Sequence, residues 1–312
     1  MSRLSSRHLL GLEDVPKEDI MMILETSNSF REVLERQVKK VPTLRGVTVL
    51  NLFYENSTRT RISFELAEKR LSADTINFST STSSVKKGES LRDTVQNIEA
   101  MKLDMVVVRH GSTGAPYFLT QCMDANIINA GDGAHEHPTQ ALLDMYTIWK
   151  KYGKFAGLRV VLVGDVKHSR VIRSNIWGLK AVGASVALCG PSTLLPVEVE
   201  KFGCDVYHNI DEALDGADVV NVMRIQLERQ EGGLFPSQRE YTNLFGITKE
   251  RLKLLNKNHT IMHPGPMNRG VEITSEVADG KNSVILDQVT NGQAVRMAVL
   301  YLLSGKKEEG DA

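Results

Sequence analysis

This chain of 312 residues carries 38 Lys plus Arg and 38 Asp plus Glu, so its formal net charge at pH 7 is zero. The balance excludes a global electrostatic attraction to nucleic acid or to an anionic membrane, and any anion-binding site must therefore be local. The length suits two domains better than one, and no apolar run approaches the roughly 18 residues that a membrane-spanning helix needs.

The start of the chain and its cysteines predict the compartment. Residues 1–20 lack the apolar segment of a secretory signal. Cys122, Cys189 and Cys204 are odd in number and widely spaced, which is typical of reduced thiols rather than of a disulfide framework or a zinc site. We therefore expect a soluble cytoplasmic protein.

Apolar runs rich in β-branched residues alternate with longer amphipathic stretches, which predicts an α/β fold of parallel sheets and crossover helices. The predicted strands are Val47–Phe53, Thr75–Phe78, Asp104–Val108, Ile127–Asn129, Leu158–Val163, Ser185–Leu188, Asp218–Asn221 and Thr260–Met262. We expect two doubly wound domains, each with a central parallel sheet, joined by helices. Residues 1–150 form the first domain, completed by a C-terminal helix within 287–312, and residues 151–286 form the second.

Three stretches outside the strands are informative. Apolar residues follow helical spacing in residues 136–151, which predicts a helix that bridges the two domains. The same spacing in residues 293–303 predicts a final helix that packs back on the first domain. Residues 224–248 show no clear period and are predicted to form a long irregular loop, which in a compact domain is more often functional than not.

The segment Ser57-Thr58-Arg59-Thr60 follows the first predicted strand and opens a helix. Backbone N–H groups without partners and the helix dipole favour an anion at such a start. The hydroxyls add donors, and the Arg59 guanidinium matches phosphate oxygens. An ordinary Ser/Thr cap with surface arginines is the alternative, but four adjacent donors favour an oxyanion site.

A second polar segment runs from Ser79 to Ser84 and continues with Lys86, Lys87 and Gly88. Composition alone predicts a solvated surface loop. The segment also matches Ser-x-x-Lys twice, but the Ser-Asp-Asn and Lys-Thr-Gly partners of serine acylases are missing, which excludes an acyl-enzyme mechanism.

Arg109 and His110 directly follow the predicted strand Asp104–Val108, at the carboxyl end where open α/β sheets bind ligands. Pairing of Arg109 with a local carboxylate explains that residue equally well. Farther along, Pro138 occupies a natural first helical position, which places His137 near the N-cap and Gln140 one turn in, both able to donate to a carbonyl.

The run from His135 to His137 suggests a metal site, but its spacing is not that of His-Glu-x-x-His, and no third ligand cluster accompanies it. No metal is predicted. Gly164-Asp165-Val166 follows a strand, but it lacks the other glycines of a dinucleotide fingerprint, and a Walker phosphate loop is also missing. The sequence therefore predicts neither a nicotinamide cofactor nor ATP.

Three features of the second half can bind polar groups. Arg170 lies near the start of a helix. Arg224 and Gln226 follow a strand and are two positions apart, so their side chains point to the same side if the backbone there is extended. The turn at Gly265–Pro266 follows the last predicted strand, and its prolines make it rigid enough to aim backbone carbonyls at a donor.

Four motifs, in this order, resemble the carbamoyltransferase family over essentially the whole chain: "STRTR" after a strand, "KKGES", "HPTQ" at a helix start and "HPGP" near the end. Arg224-x-Gln226 and "HPGPMNRG" are similar to the branch that uses aspartate, and the His-Cys-Leu-Pro and Ser-Met-Gly segments of ornithine enzymes do not occur. The resemblance implies carbamoyl transfer from carbamoyl phosphate to the amine of L-aspartate, without a cofactor. The products are N-carbamoyl-L-aspartate, an intermediate of pyrimidine biosynthesis, and phosphate.

The resemblance also implies a role for each motif residue. The neutral amine attacks the carbamoyl carbon, the oxyanion forms against Thr60, Arg109 and His137, and the departing phosphate takes the amine proton. The implied carbamoyl phosphate ligands are Ser57, Thr58, Arg59, Thr60, Ser83, Arg109, His137, Gln140, Gly265 and Pro266. The implied aspartate ligands are Lys87, Arg170, Arg224 and Gln226. The implied catalytic residues are Arg59, Thr60, Lys87, Arg109 and His137.

A homotrimer with shared sites is a further implication, in which Ser83 and Lys87 reach the active site of the neighbouring subunit. This reverses the surface-loop prediction from composition. Gly265 replaces the bulky aliphatic residue of some relatives, and glycine widens the conformational range of the turn. A regulatory chain or another pathway enzyme is an additional candidate partner, whereas nucleic acid and membrane are not.

Two alternatives remain open from the sequence. One is a related carbamoyltransferase that acts on ornithine or another amino acid. The other, from a different class, is a regulatory α/β protein that binds an anion or a nucleotide without catalysis.

Overall fold

The computed structural model describes residues 4–79, 91–225 and 237–305, so the predicted site residues Ser83, Lys87 and Gln226 lie outside the described residues. The chain divides into two compact units. Unit 1 contains Met1–Leu142 and Thr290–Ala312, and unit 2 contains Leu143–Val289. Each unit is a parallel sheet with helices, which confirms the predicted fold class.

Strands and helices alternate along most of the chain. The helices are α1 (Lys17–Glu35), α2 (Thr58–Arg70), α3 (Leu91–Glu99), α4 (Ala115–Thr120), α5 (Pro138–Tyr152), α6 (Arg170–Ala181), α7 (Ile210–Leu214), α8 (Gln238–Phe245), α9 (Ser275–Ala278) and α10 (Ile285–Leu303). The strands are β1 (Thr48–Phe53), β2 (Asp74–Ser79), β3 (Met105–His110), β4 (Asn126–Asp132), β5 (Arg159–Val163), β6 (Ser185–Cys189), β7 (Asp205–Tyr207), β8 (Val219–Val222) and β9 (Thr260–Met262). Short 3₁₀ turns occupy Ser192–Leu194, Val199–Phe202 and Arg251–Leu254.

The sheet of unit 1 has the order β2-β1-β3-β4, and all its pairs are parallel. Its strands are apolar on both faces, as expected for a parallel sheet covered by helices, because Leu50 and Val106 are buried on one face and Val49 and Met105 on the other. The chain leaves β1 toward β2 on one side and reaches β3 on the other, so the carboxyl end of β1 is the point where the strand order reverses. Ligands of open α/β sheets bind at such a point.

The outer edge of β4 is covered by the N-terminal segment. Leu9 forms a parallel bridge with Ile128, donating from its N–H to Ile127 O at 2.9 Å and accepting from Asn129 N at 2.8 Å. The side chain of Asn129 also donates to Leu10 O at 2.7 Å. Pairing of this edge satisfies backbone groups that would otherwise be open to another chain.

The sheet of unit 2 has the order β7-β6-β5-β8-β9 and is also parallel throughout. Its strand order reverses at β5, which has β6 on one side and β8 on the other. Arg170 follows β5, Arg224 follows β8 and the Gly265–Pro266 turn follows β9. The three predicted ligand-binding segments of this unit therefore start from the carboxyl edge of one sheet.

The structure corrects the element predictions at three places. Residues 238–245, predicted to be irregular, form α8, because Ser237 caps the helix and Tyr241 and Phe245 bury one face of it. The short strand β7 was not predicted. The final helix begins at Ile285, earlier than the predicted residue 293. No helix within the described ranges is long and apolar enough to cross a membrane.

Candidate active site

The predicted anion site of unit 1 lies at the start of α2, directly after β1. Ser57 is the N-cap residue, but its side chain accepts no hydrogen bond from the helix. The structure therefore does not support the alternative in which the hydroxyl serves only as an ordinary cap. Thr58 and Arg59 are exposed in the first turn, and Thr60 is partly buried. Donors and the positive end of the helix dipole thus meet at the strand-order reversal.

Helix α2 is held in place by contacts with α10, the last helix of the chain. Phe64 is fully buried, and the Arg296 guanidinium lies 5.2 Å from the centroid of its ring. The Ser63 hydroxyl accepts hydrogen bonds of 2.7 Å from Arg296 Nη1 and from Gln293 Nε2. These contacts hold the first turns of α2 in place, so the donors at its start are preorganised.

A buried carboxylate lies under the same helix. Glu68 of α2 accepts a hydrogen bond of 2.9 Å from the Asn51 side chain of β1. Burial raises the pKa of the Glu68 carboxyl to about 7, although the bond from Asn51 acts in the opposite direction. The Glu68 carboxyl therefore titrates near neutral pH in the folded chain.

Arg109 stands at the end of β3, in register with Phe53 of β1. Its guanidinium lies 3.3 Å from the Glu55 carboxylate and donates to Ala130 O at 3.3 Å, with only 13 % of the side chain exposed. Pairing with a local carboxylate, one of the two explanations open from the sequence, is thus present. It does not exclude ligand binding, because a guanidinium has five N–H donors.

The loop before α5 is shaped by Asp132. Its Oδ1 accepts from the Asn129 side chain at 2.8 Å and from Glu136 N at 3.2 Å, and its Oδ2 accepts from Gly114 N at 2.8 Å. His137 follows this loop and is 5 % exposed. Its carbonyl accepts from Gln140 N at 3.0 Å, so the backbone of His137 opens α5 as the sequence predicts.

Glu13, His135 and Glu136 offer ligand atoms within 4.8 Å of one another. The Glu136 carboxylate already accepts backbone hydrogen bonds from Leu12 N at 2.7 Å and Glu13 N at 3.1 Å. The cluster therefore has a structural explanation, because Glu136 attaches the N-terminal segment to the loop before α5.

In unit 2, Arg170 is the first residue of α6 and is 5 % exposed. Ser169 caps the helix by accepting from Ile172 N at 3.2 Å. One turn later, the buried Asn175 donates to Asp144 at 3.0 Å, and Asp144 also accepts from Asn221 of β8 at 3.1 Å. This network ties the Arg170 helix to the strand that leads to Arg224.

Arg224 is partly buried and lies two residues beyond β8. The neighbouring turn, after β9, places Gly265 at φ 64°, in the left-handed region that favours glycine. Gly265 N donates to His263 Nδ1 at 2.8 Å, and this hydrogen bond holds the turn in place. The Asn268 side chain donates to Ile225 O at 3.0 Å and connects this turn to the Arg224 segment.

Glu55, Asn268 and Glu272 make contacts around the site that the sequence did not predict. Glu55 stands two residues ahead of the predicted anion motif, so its position was a signal, but its pairing with Arg109 depends on the register of β1 with β3. Asn268 and Glu272 belong to the "HPGPMNRGVE" stretch, where only the turn itself was singled out.

Comparisons with known proteins agree with the family that the four sequence motifs indicate. Residues 7–150 match the family model of the aspartate/ornithine carbamoyltransferase carbamoyl-P binding domain, and residues 156–303 match that of the Asp/Orn binding domain. The aspartate carbamoyltransferase catalytic subunit of Cytophaga hutchinsonii is 60% identical over 307 residues, which cover 98% of this chain and 100% of that protein.

Two solved structures extend the comparison. Aspartate transcarbamoylase from Trypanosoma cruzi, in complex with carbamoyl aspartate and phosphate, has a TM-score of 0.84 and 28% identity and covers 95% of both chains. Ornithine carbamoyltransferase from Pyrococcus furiosus also has a TM-score of 0.84 and 28% identity, covering 98% of this chain and 100% of its own. The fold alone therefore does not choose between aspartate and ornithine.

Proposed function

This chain belongs to the aspartate/ornithine carbamoyltransferase family, and we propose that it transfers the carbamoyl group of carbamoyl phosphate to the amine of L-aspartate. The products are N-carbamoyl-L-aspartate and phosphate. One observation carries the choice of aspartate: the sequence identity to proteins named aspartate carbamoyltransferase catalytic subunit is 57–60% over nearly the whole chain.

We propose that unit 1 binds carbamoyl phosphate. The phosphate dianion meets Ser57, Thr58 and Arg59 at the start of α2, where backbone N–H groups and the helix dipole add to the attraction. Because the site needs no net positive charge on the protein as a whole, it is consistent with the zero formal charge of the chain. Gln140 and the backbone carbonyls of Gly265 and Pro266 are proposed to hold the carbamoyl NH₂.

The proposed reaction needs no side-chain nucleophile. The neutral amine nitrogen of aspartate forms a bond to the carbamoyl carbon, and the carbonyl oxygen becomes an oxyanion near Thr60, Arg109 and His137. The bond from carbon to the phosphate oxygen then breaks, and the leaving phosphate takes the proton that the amine loses. Preorganised donors at the oxyanion account for most of the rate in such a mechanism.

Unit 2 is proposed to bind aspartate. Arg170 and Arg224 match its two carboxylates, and bidentate pairing gives both affinity and orientation. Gln226 and Lys87 complete the proposed set. The cationic side chain of ornithine would instead need an acidic partner, and the Arg224 segment offers a guanidinium.

We propose a homotrimer in which each active site receives Ser83 and Lys87 from the neighbouring subunit. Apolar side chains exposed on neighbouring elements of unit 1 support this assembly. Ile62 and Leu66, on one face of α2, are 53% and 37% exposed, and Ile76 on the edge strand β2 is 43% exposed. Contact with neighbouring copies of the chain would remove these apolar side chains from solvent.

We propose that the protein acts in pyrimidine biosynthesis, the pathway of its proposed product, and that it does so in the cytoplasm. The three cysteines are free, which suits a reducing compartment. A regulatory chain or a second pathway enzyme is proposed as a partner of the trimer.

Phosphate release from carbamoyl phosphate tests the proposal directly. The protein is incubated with carbamoyl phosphate and with aspartate, ornithine or other amino acids in parallel, and both phosphate and the carbamoylated product are measured. Release with aspartate alone is the expected result. Release with ornithine but not aspartate would overturn the choice of substrate, and release with neither would favour a binding protein.

A further inference from the structure

Two proposed ligand-binding segments of unit 2 follow neighbouring strands. β8 and β9 run parallel, with Asn221 in register with Met262. Arg224 and the Gly265–Pro266 turn both lie past the last paired residues, so ladder hydrogen bonds do not hold them. Other contacts must therefore fix the distance between the Arg224 side chain and the carbonyls of the turn.

Asn268 provides a direct link between the two segments. Its Nδ2 donates to the carbonyl oxygen of Ile225 at 3.0 Å, immediately after Arg224. Ile225 itself is fully buried, so its main chain is held by packing as well as by this bond. The Asn268 amide thus sets how far the Arg224 backbone lies from the turn.

His263 fixes the turn from inside. Its Nδ1 accepts from Gly265 N at 2.8 Å, so Nδ1 carries no proton and Nε2 must be the protonated nitrogen. Nε2 then donates to Glu272 Oε1 at 3.2 Å, and both side chains are fully buried. The hydrogen bonds at the two ends of the ring therefore determine its tautomer and orientation.

Glu272 joins these two contacts. Its Oε1 accepts from His263 Nε2 and also from Asn268 N at 2.6 Å. Its Oε2 is buried and has no hydrogen-bond partner among the residues that the structure describes. Apolar replacement of buried charged groups is often neutral or stabilising, so the contacts of Glu272 favour a role in specifying one local geometry.

We infer that His263, Glu272 and Asn268 are positioning residues that hold the Gly265–Pro266 turn and the Arg224 segment at one fixed spacing and so determine affinity for aspartate. The inference rests on the proposed function, in which Arg224 binds an aspartate carboxylate. Gln288 anchors the set, since its Oε1 accepts from His263 N at 2.9 Å and its Nε2 donates to Asp144 at 2.8 Å.

Steady-state kinetics of matched variants test the inference. Glu272→Gln keeps the accepting oxygen, whereas Glu272→Met keeps the length of the side chain and removes both oxygens. Loss of these bonds in Glu272→Met is expected to raise KM for aspartate about tenfold or more, and KM for carbamoyl phosphate by less than twofold. Glu272→Gln is expected to restore KM for aspartate to within about threefold of the wild type.

Asn268→Ala provides an independent arm if Glu272→Met does not fold. It removes the donor to Ile225 O and is expected to raise KM for aspartate about tenfold. Asn258→Ala, at an exposed residue of the same unit, is the control and is expected to leave both KM values unchanged. Unchanged KM for aspartate in folded Asn268→Ala, or equal rises for both substrates, would overturn the inference.

Hydrogen exchange separates this inference from the proposed function. In the wild-type protein the amide of Gly265 is expected to exchange slowly, and this protection is expected to be lost in Glu272→Met but retained in Glu272→Gln. A wild type that releases no phosphate with aspartate would refute the proposed function alone. Rapid exchange of the Gly265 amide in the wild type would refute the positioning role whatever the activity.

Discussion

The Glu55 carboxylate and the Arg109 guanidinium form an ion pair of 3.3 Å across two neighbouring strands of the unit 1 sheet. The register of β1 with β3 places Arg109 opposite Phe53, and Glu55 follows two residues later. Arg109 is thus held at the carboxyl edge by a carboxylate on one side and by Ala130 O on the other. In the proposed reaction this arrangement fixes the guanidinium before the oxyanion forms.

Replacement of Glu55 by Gln is therefore expected to lower kcat/KM for carbamoyl phosphate about tenfold, because the guanidinium loses its charged partner but keeps the bond to Ala130 O. Glu65→Gln, which breaks the exposed pair with Lys69 on α2, is the control and is expected to change kcat/KM by less than twofold. Initial rates at varied carbamoyl phosphate measure both. An unchanged Glu55→Gln enzyme would show that the pair does not orient Arg109.

Glu68 is expected to make stability fall as pH rises. Its pKa is about 7 in the folded chain, above the value of 4.5 for an unperturbed Glu, so between these values the folded state holds a proton that the unfolded state has lost. The contribution of this carboxyl to the stability of the folded chain is thus greatest below pH 4.5 and is lost as the pH rises through 7. The full contribution is on the order of 3 kcal/mol.

The Glu68→Gln variant isolates this effect. It is expected to gain stability over the wild type at pH 8 and to show a flatter profile between pH 5 and 8 in urea unfolding. Glu65→Gln is again the control, because its bond with Lys69 lowers the pKa of the Glu65 carboxyl and places its titration below this window. Parallel profiles of Glu68→Gln and the wild type would contradict the assignment.

Much of the fold was accessible from the sequence because parallel strands buried on both faces are nearly continuous apolar runs. The prediction of Thr260–Met262 agrees with the structure residue for residue. β7 has only three residues, too few for a period, and was missed. The helix of residues 238–245 was not predicted, although Tyr241 and Phe245 have helical spacing, because its two turns lie within a longer stretch that shows no clear period.

Side-chain partners were less predictable than backbone positions. Ser57 could be placed at a helix start and Arg170 at another, since strand-to-helix connections leave a local pattern. The pairing of Glu55 with Arg109 needs the register of two strands more than fifty residues apart, which no local pattern contains. The roles proposed for Ser83 and Lys87 come from family resemblance and remain predictions, as does the shared site.

Mixing of two inactive variants tests the shared site. Arg59→Ala removes a proposed phosphate ligand from the subunit's own site, and Lys87→Ala removes the residue proposed to reach the neighbouring one. Mixed trimers contain some sites with both residues intact, so activity is expected to recover after subunit exchange. Native mass spectrometry confirms that mixed trimers have formed. No recovery in their presence would show that each site draws both residues from one chain.

Arg224 is expected to act on one substrate only. Arg224→Ala removes a proposed bidentate partner of an aspartate carboxylate, so KM for aspartate should rise by about 10²-fold or more. Binding of carbamoyl phosphate, measured by calorimetry without aspartate, should change by less than threefold. Equal losses for both ligands would assign Arg224 a structural role. Arg269→Ala, which breaks an exposed pair with Asp279, is the control and should affect neither.

Asp144 is expected to be the most costly polar residue to remove from unit 2. Its carboxylate accepts hydrogen bonds from the side chains of Asn175 at 3.0 Å, Asn221 at 3.1 Å and Gln288 at 2.8 Å, and it is fully buried. Truncation leaves these three amides without their acceptor in a site that excludes water. Each such loss costs free energy because the donor was desolvated on folding.

Asp144→Ala is therefore expected to lower the free energy of unfolding by roughly 3–5 kcal/mol in urea titrations. Asp144→Asn keeps one oxygen but turns an NH₂ group toward a donor, so an intermediate loss of about 1–3 kcal/mol is expected. Asp279→Ala breaks an exposed ion pair and should cost less than about 1 kcal/mol. A cost for Asp144→Ala as small as that for Asp279→Ala would show that the three amides find other partners and that the network does not hold the helix of Arg170 against the strand of Arg224.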